Sequence, residues 1–245
     1  LLPCCPYNSV PFNGVSAGFA SALTACVQTV DAMAAARRRD RNCAPIGVVY
    51  VAGDTAGWLA VGAAALCADA GNAFCLIRGC PVDIPHLCGL LTRTVASHGS
   101  AVVVIGDDLI DGARRRLAAD SNAQLDVLRD TIARQTRMGV AGLRCDPGVG
   151  LPSNAGVPGE RMLGAQLARA AVRAARTQRV AALVAVQTLP HDTLPWRIAP
   201  IPLLEAVAAP RQVPERYLRS GRFQPASPCA RELSGLIAST RGRRA

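Results

Sequence analysis

The chain has 245 residues, of which 50% are hydrophobic, enough for the core of one α/β domain or two small ones. No apolar run reaches the ~20 residues that a membrane-spanning helix needs, so we expect no membrane span. The formal net charge is +10, and +9 of it lies in residues 156–245, which hold 14 arginines against one aspartate and four glutamates. This basic third favours an acidic partner, such as nucleic acid or an acidic protein surface, although a solvated face would explain it equally well.

The first half of the chain alternates helical patterns with short apolar runs. A helix is predicted over 15–39, where apolar side chains recur at helical spacing and three arginines complement the dipole of the last turn. Three buried strands follow, each separated from the next by a helix: Ile46–Val51, 73–77 and Ala101–Ile105. Short connections between alternating buried strands and helices are typical of a parallel sheet covered by helices.

Glycine and acidic residues follow these three strands. Gly53 and Asp54 come after the first strand, Gly79 after the second, and Asp107 and Asp108 after the third. Because open α/β sheets bind ligands at the carboxyl ends of their strands, we expect any site to lie near these residues. The two consecutive aspartates would serve either as metal ligands or, at least as well, as an N-cap of the next helix.

The remaining residues give a weaker pattern. Helices are predicted at 109–117, 122–138 and 160–176, and strands at 139–145 and 180–186. Four prolines interrupt 189–202, which favours irregular structure there. A short helix over 214–220 is predicted before a solvated, arginine-rich end.

The ten cysteines indicate a reducing environment. Cys75, Cys80 and Cys88 lie near His86 in a loose cluster whose spacing matches no zinc framework. We therefore expect buried, reduced thiols rather than a metal site, and an intracellular reducing compartment.

Six short blocks occur along the chain in a defined order. They are GFASAL at 18–23, GVVYVAGDTAG at 47–57, CLI at 75–77, VVIGD at 103–107, LRCDP at 143–147 and PSNA at 152–155. In the same order they resemble the GFDTAV, GVVKLMGRYSG, CLIPE, VIAEG and YIDPTYMIRAVPSNASD segments of the phosphofructokinase family, the last with three residues deleted. The similarity is closest to the branch that contains long ATP-dependent and pyrophosphate-dependent enzymes. Later matches, IPLL at 201–204 and QP at 224–225, are shorter.

The resemblance implies an α/β fold, a Rossmann-like parallel sheet covered by helices with an incomplete second domain. We expect an extended segment at 1–13, a sugar-phosphate-type domain at 14–155, a return segment of a nucleotide-type domain at 156–208 and a basic tail at 209–245. The family's GGDG phosphate loop has no counterpart in this sequence, so by resemblance the N-terminal half that carries the nucleotide loop is lacking. The strand at 180–186 would then have an unpaired apolar edge that upstream residues or a partner chain would cover.

The catalytic positions of the family are not kept. Its TIDND motif falls on residues 5–9, which puts Tyr7 at the position of the base that accepts the proton of the sugar hydroxyl. A phenol with a pKa near ~10 is a poor base at neutral pH. Ser9 stands at the position of the second aspartate, which helps to hold magnesium in the family, and only Asn8 is retained. The resemblance therefore implies that no catalytic residue remains.

The substrate-binding positions are kept only in part, so we expect a vestigial site. By resemblance it comprises Asn8, Gly53, Asp54, Asp107 and Asn154. Asp107 replaces a substrate-binding glutamate and is one methylene shorter. Asp54 replaces the arginine that binds phosphate, and an anion there would repel a sugar phosphate.

These features favour a catalytically inactive phosphofructokinase-like protein that needs no cofactor and serves as a structural or binding subunit of a larger assembly. An organellar ribonucleoprotein such as the mitochondrial ribosome would be one such assembly, and would place the protein in the mitochondrial matrix. The partners would be protein subunits covering the incomplete sheet and, in a ribonucleoprotein, RNA. A basic partner surface is expected at Arg161, Arg169, Arg173, Arg176, Arg216, Arg219 and Arg222. The alternative is an active 6-phosphofructokinase, completed by an upstream or separate N-terminal half and using magnesium (Mg2+) with ATP or pyrophosphate.

Overall fold

The computed structural model describes residues 18–40, 42–121, 123–147, 158–177, 182–188, 196–204, 212–219 and 223–240. Its helices are α1 Phe19–Arg39, α2 Trp58–Leu66, α3 Ile84–His98, α4 Gln124–Thr136, α5 Pro158–Thr177 and α6 Ser227–Thr240. Its strands are β1 Ile46–Val51, β2 Ala73–Leu76, β3 Ala101–Ile105, β4 Val140–Cys145, β5 Ala182–Thr188, β6 Trp196–Pro202, β7 Leu218–Arg219 and β8 Gln224–Pro225.

Four parallel strands form the main sheet in the order β2-β3-β1-β4. The central strand β1 lies between β3 and β4. In the register of these pairs, Ile46 of β1 lies opposite Ala101 of β3 and opposite Val140 of β4. All six residues of β1 are buried, as expected for an apolar β-branched strand between two neighbours. The predicted parallel sheet covered by helices is confirmed.

Helices cover both faces of this sheet because successive side chains of a strand point to opposite sides. Val49 and Val51 of β1 pack with α1, α2 and α6 in one apolar cluster, whereas Val48 and Tyr50 pack with α3 and α4 in the other. The small side chains of α2 allow close packing, since a Cβ on Gly62 would lie 2.7 Å from Leu23 of α1. The core therefore has three layers, helix, sheet and helix.

Helix α1 is long and apolar enough to cross a membrane by length and composition alone. Its apolar side, including Phe19, Leu23 and Val30, is buried in the cluster that it shares with α2 and β1. This is the position of a core helix, and such helices pass the same test of length and composition.

A buried carboxylate ties α5 to the amino end of α1. Glu160 accepts hydrogen bonds from the amides of Ala20 at 2.7 Å and Ser21 at 3.2 Å, and from the Ser21 hydroxyl. Gly18, the N-cap of α1, has a φ of 91° and supplies no side-chain cap. Glu160 therefore provides from another helix the acceptor that the first turn of α1 needs.

The predicted helix over 109–117 is wrong. Ile110 forms an antiparallel bridge with Arg116, and Arg114 has a φ of 60°. The Asp111 carboxylate accepts hydrogen bonds from both the amide and the Nε of Arg115, and these local bonds compete with a helix. Asp107 and Asp108 are consequently not the N-cap of a helix at this position.

Strand β5 has one neighbour in a two-stranded sheet, and its other edge is unpaired among the described residues, so the edge that upstream residues or a partner chain would cover stays a prediction. Strand β5 pairs antiparallel with β6, in the segment that its prolines had indicated to be irregular. Pro200 and Pro202 lie opposite Val184 and Ala182. Proline has no N–H to donate to a neighbouring strand. It is compatible with a strand at the edge of a sheet, where its nitrogen can face away from the neighbouring strand.

The C-terminal residues form more structure than the predicted basic tail. A 3₁₀ turn at Glu215–Tyr217 and the short strand β7 replace the helix predicted at 214–220. Helix α6 follows and packs against α2, burying Cys229 and Leu233 in the core. The described residues of this segment are thus part of the folded unit.

Candidate functional site

The carboxyl ends of β1 and β3 meet at one edge of the main sheet. The amide of Gly53, after β1, donates to Oδ2 of Asp107, after β3, over 3.1 Å. The amide of Asp107 in turn donates to the carbonyl of Asp54 at 3.1 Å. A Cβ on Gly106 would lie 2.7 Å from that carbonyl, so glycine is needed for this close approach. The structure thus brings Gly53, Asp54 and Asp107 together, as the sequence had indicated.

Asp107 is held by groups of the chain itself. The hydroxyl of Tyr50 donates to its Oδ1 at 2.5 Å, and the Gly53 amide occupies Oδ2. Burial raises the pKa of Asp107, and the bonds from Tyr50 and Gly53 partly offset that rise. Burial and the Asp107 carboxylate raise the pKa of Tyr50, so the phenol remains a neutral donor.

Asp54 does not point toward the outside of this edge. Its side chain is 1% exposed, and it accepts hydrogen bonds from the amides of Gly57 at 3.0 Å and Ala60 at 2.8 Å. These amides belong to the amino end of α2, where a carboxylate is favoured by the helix dipole. Burial outweighs these bonds and raises the pKa of Asp54 to about 7. The expectation that this residue meets and repels a sugar phosphate is corrected, since its carboxylate faces α2.

The arginines described at this edge are paired with aspartates. Arg144 of β4 donates to Asp146 through Nε at 2.8 Å and through a terminal nitrogen at 3.1 Å, with its guanidinium 5.5 Å from the centre of the Tyr50 ring. Arg78 and Arg116 lie 3.5 Å and 3.6 Å from the carboxylate of Asp108. A sugar phosphate at this edge would compete with these ion pairs for each guanidinium.

The sequence pattern missed Tyr50, Arg144 and Asp146. Tyr50 carries the only signal that was available, a hydroxyl within an otherwise apolar strand. A buried hydroxyl needs a hydrogen-bond partner, and Asp107 supplies it. Gly79, by contrast, does not form part of the cluster; a Cβ added to it would meet no atom within 4 Å.

Some of the predicted site residues lie outside the described residues. They are Tyr7, Asn8, Ser9, Asn154 and Arg222. The remaining members of the predicted basic surface fall into two groups. Arg161, Arg169, Arg173 and Arg176 are exposed on α5. Arg216 instead contacts Glu232 and the ring of Tyr217, and Arg219 lies in β7.

Comparison with known proteins identifies the family. A family model described as "Phosphofructokinase" matches residues 1–175. The chain belongs to the phosphofructokinase family. The matched residues include the whole main sheet and the cluster of Gly53, Asp54 and Asp107.

Solved phosphofructokinase structures share the fold. The pyrophosphate-dependent phosphofructokinase of Nitrosospira multiformis has a TM-score of 0.75 at 16% identity, covering 96% of this chain and 59% of that one. The pyrophosphate-dependent phosphofructokinase of Marinobacter aquaeolei gives 0.74 at 17% identity, with the same 96% and 59%. For phosphofructokinase from Saccharomyces cerevisiae the values are 0.62 and 19%, covering 83% of this chain and 25% of that one. This phosphofructokinase-family chain therefore spans 59% of the length of the two bacterial structures. No curated protein sequence matches it.

The acidic side chains of this phosphofructokinase-family edge do not fit a magnesium ion. Asp54 is turned into α2, Asp107 has a donor on each oxygen, and Asp108 contacts two arginines. Each carboxylate is therefore already held by groups of the chain. Within the described ranges, no three histidine, cysteine, aspartate or glutamate side chains come together as a metal site, and this includes the cysteine–histidine cluster noted in the sequence.

Proposed function

We propose that this chain is a catalytically inactive member of the phosphofructokinase family that serves as a structural or binding subunit of a larger assembly. The observation that carries the proposal is that the carboxylates of Asp54 and Asp107 are both occupied by hydrogen bonds within the chain. By resemblance, Asp54 stands at the position of the family's phosphate-binding arginine, and its carboxylate caps α2. The two carboxylate oxygens of Asp107 accept hydrogen bonds from Tyr50 and Gly53.

The chemistry of phosphoryl transfer supports the same proposal. Such enzymes act mainly by positioning the reactants and by neutralising the charge of the transferred group. By resemblance, Tyr7 and Ser9 replace the base and a magnesium ligand, and Arg144 is already paired with Asp146. Little is left to accept the sugar proton or to stabilise a phosphoryl group.

The assembly that we propose is one with an acidic or polyanionic component. Its support is the +9 charge of residues 156–245 within a net charge of +10. An organellar ribonucleoprotein, such as the mitochondrial ribosome, has this chemistry, and the mitochondrial matrix is the corresponding compartment. Phosphate contacts made by arginine would be independent of RNA sequence.

An activity assay tests the proposal. The purified protein is incubated with fructose 6-phosphate, magnesium and either ATP or pyrophosphate, between pH 6 and 9, and fructose bisphosphate is measured. We expect no product above that of a protein-free sample. An Asp107→Asn variant serves as the control for contaminating enzyme. Turnover by the wild-type protein that this variant loses would sink the proposal and favour the active 6-phosphofructokinase instead.

A further inference from the structure

The outer side of α5 is basic and apolar at once. Met162 is 64% exposed and Val172 is 61% exposed, although both are large hydrophobic side chains. Four exposed arginines accompany them: Arg161, Arg169, Arg173 and Arg176. Val172 lies three residues after Arg169 and one before Arg173, so an apolar and two basic side chains adjoin on this part of the helix.

The charge of this helix is not compensated within the described part of the chain. Glu160 is the only acidic residue of α5, and its carboxylate is buried against the amino end of α1. The four arginines form no ion pair with any described residue. Arg169, Arg173 and Arg176 are spaced i, i+4 and i+7, so they lie along one stripe about 10 Å long.

A groove runs beside this stripe, between α5 and β6. It has a volume of about 720 Å³ and is lined by Gln166, Ala168, Arg169, Val172, Arg173 and Ile198. Its described lining combines three aliphatic side chains, Ala168, Val172 and Ile198, with two guanidinium groups and one amide. We call it the α5 groove. Its size suits a few side chains of a docked segment.

We propose that the α5 groove binds an acidic amphipathic segment of another protein. Carboxylates of that segment pair with Arg169 and Arg173, and its apolar side chains cover Val172 and Ile198. Arginine is well suited to this role because its planar fork binds a carboxylate through two hydrogen bonds. The inference rests on the binding-subunit part of the proposed function and names the chemistry of one partner.

The lining favours a protein segment over RNA. A nucleic-acid backbone offers phosphates and sugars, which would leave Met162, Val172 and Ile198 without apolar contacts. None of the six described side chains that line the groove is aromatic, so this described lining offers bases no stacking platform. An amphipathic segment satisfies both the charged and the apolar parts of the surface, as in other helix-in-groove complexes.

The test uses a synthetic, fluorescein-labelled helical peptide with glutamate at i, i+4 and i+7 and leucine on the adjoining stripe. Fluorescence polarisation measures its binding to the full chain at low and physiological salt. Polyglutamate, which lacks apolar side chains, and poly(U) RNA are the comparison probes. We expect the peptide to bind more tightly than either of them.

Two variants locate the binding. Combined Arg169→Glu and Arg173→Glu should weaken peptide binding at least about tenfold, because two favourable charge pairs become repulsive. The matched control combines Arg93→Glu and Arg134→Glu on α3 and α4, which cover the other face of the main sheet, and should leave affinity unchanged. A Val172→Ser variant should weaken the peptide but not polyglutamate. Circular dichroism and thermal melts check that every variant remains folded.

Three results would overturn the inference. They are no peptide binding by the wild-type chain, equal binding by the Arg169 and Arg173 variant, or tighter binding of poly(U) that the same variant loses. The last result would identify a nucleic-acid surface. Turnover in the phosphofructokinase assay together with intact peptide binding would refute the proposed inactivity and leave the groove assignment standing. Absence of both would refute the groove alone.

Discussion

Replacing Asp54 by asparagine should remove a loss of stability that the wild-type protein suffers between about pH 4 and pH 7. Asp54 is buried at the amino end of α2 and accepts amide hydrogen bonds from Gly57 and Ala60. Asparagine cannot ionise and keeps one of the two acceptor oxygens, while its NH2 group replaces the other, so one of the two amides loses its acceptor. That loss is the same at every pH, so the pH-dependent part of the difference from wild type reports the cost of the buried charge.

The sign and size of the effect follow from the pKa. Burial raises the pKa of Asp54 from 3.8 to about 7, so the folded protein holds a proton that the unfolded chain releases. The stabilising contribution is fully present below pH 3.8 and is lost as the pH rises through about 7. At about 1.4 kcal/mol per pH unit, the loss amounts to at most about 4 kcal/mol. The asparagine variant should gain this amount relative to wild type between pH 4 and pH 8.

Urea unfolding at a series of pH values measures the difference. The buried indole of Trp58, which lies edge-on to Tyr217 at 5.8 Å between ring centres, gives the fluorescence signal. Asp83→Asn is the matched control, because Asp83 caps α3 through a 3.0 Å bond from the His86 amide but is exposed. Other titrating groups cancel when each variant is compared with wild type.

The reasoning on Asp54 fails if the difference in unfolding free energy between wild type and Asp54→Asn is constant from pH 4 to pH 8. It also fails if Asp83→Asn shows the same pH dependence. An Asp54→Ala variant gives a second readout. It removes the side-chain acceptor of the Gly57 and Ala60 amides, although the Gly57 amide keeps a 3.3 Å bond to the Asp54 carbonyl, and should cost about 1–3 kcal/mol at every pH.

Two further substitutions test the packing around α1. Glu160→Ala removes the acceptor of two buried amides and should lower the unfolding free energy by about 2–4 kcal/mol. The control Glu215→Ala, on the surface, should change the unfolding free energy little. Equal effects of the two substitutions would contradict the capping role of Glu160. Leu233→Ala should cost about 2–5 kcal/mol because α6 is part of the core, whereas Leu204→Ala, at 86% exposure, should cost almost nothing. Wild-type stability in Leu233→Ala would mean that α6 does not dock in solution.

The sequence correctly predicted those elements in which the residue pattern favours only one type of secondary structure. Strand β1 at Ile46–Val51 and strand β3 at Ala101–Ile105 match the predicted bounds because short runs rich in β-branched residues suit a strand buried on both faces. The helix predicted at 109–117 failed because the bonds between Asp111 and Arg115 are set by local geometry that periodicity does not record. Strand β6 was missed because proline was weighed as a strand breaker, which an edge strand tolerates.

The candidate site was predictable in position but not in orientation. The rule that ligand sites lie at the carboxyl ends of parallel strands correctly placed Gly53, Asp54 and Asp107 side by side. The direction of the Asp54 side chain depends on the amides of α2, and that of Asp107 on the hydroxyl of Tyr50. The orientation of both side chains thus depends on particular hydrogen bonds in the folded chain, and the pattern of residue types does not indicate such bonds.

The bond from Ala20 to Glu160 joins residues 140 positions apart in the chain. Because Gly18 offers no local cap, the first turn of α1 cannot be completed until α5 has been synthesised and docked. Long-range contacts of this kind slow folding, since a large loop must close before the bond forms. On the ribosome, the amino end of α1 would thus stay frayed while the sheet assembles, and its protection from hydrogen exchange would appear among the last in the molecule.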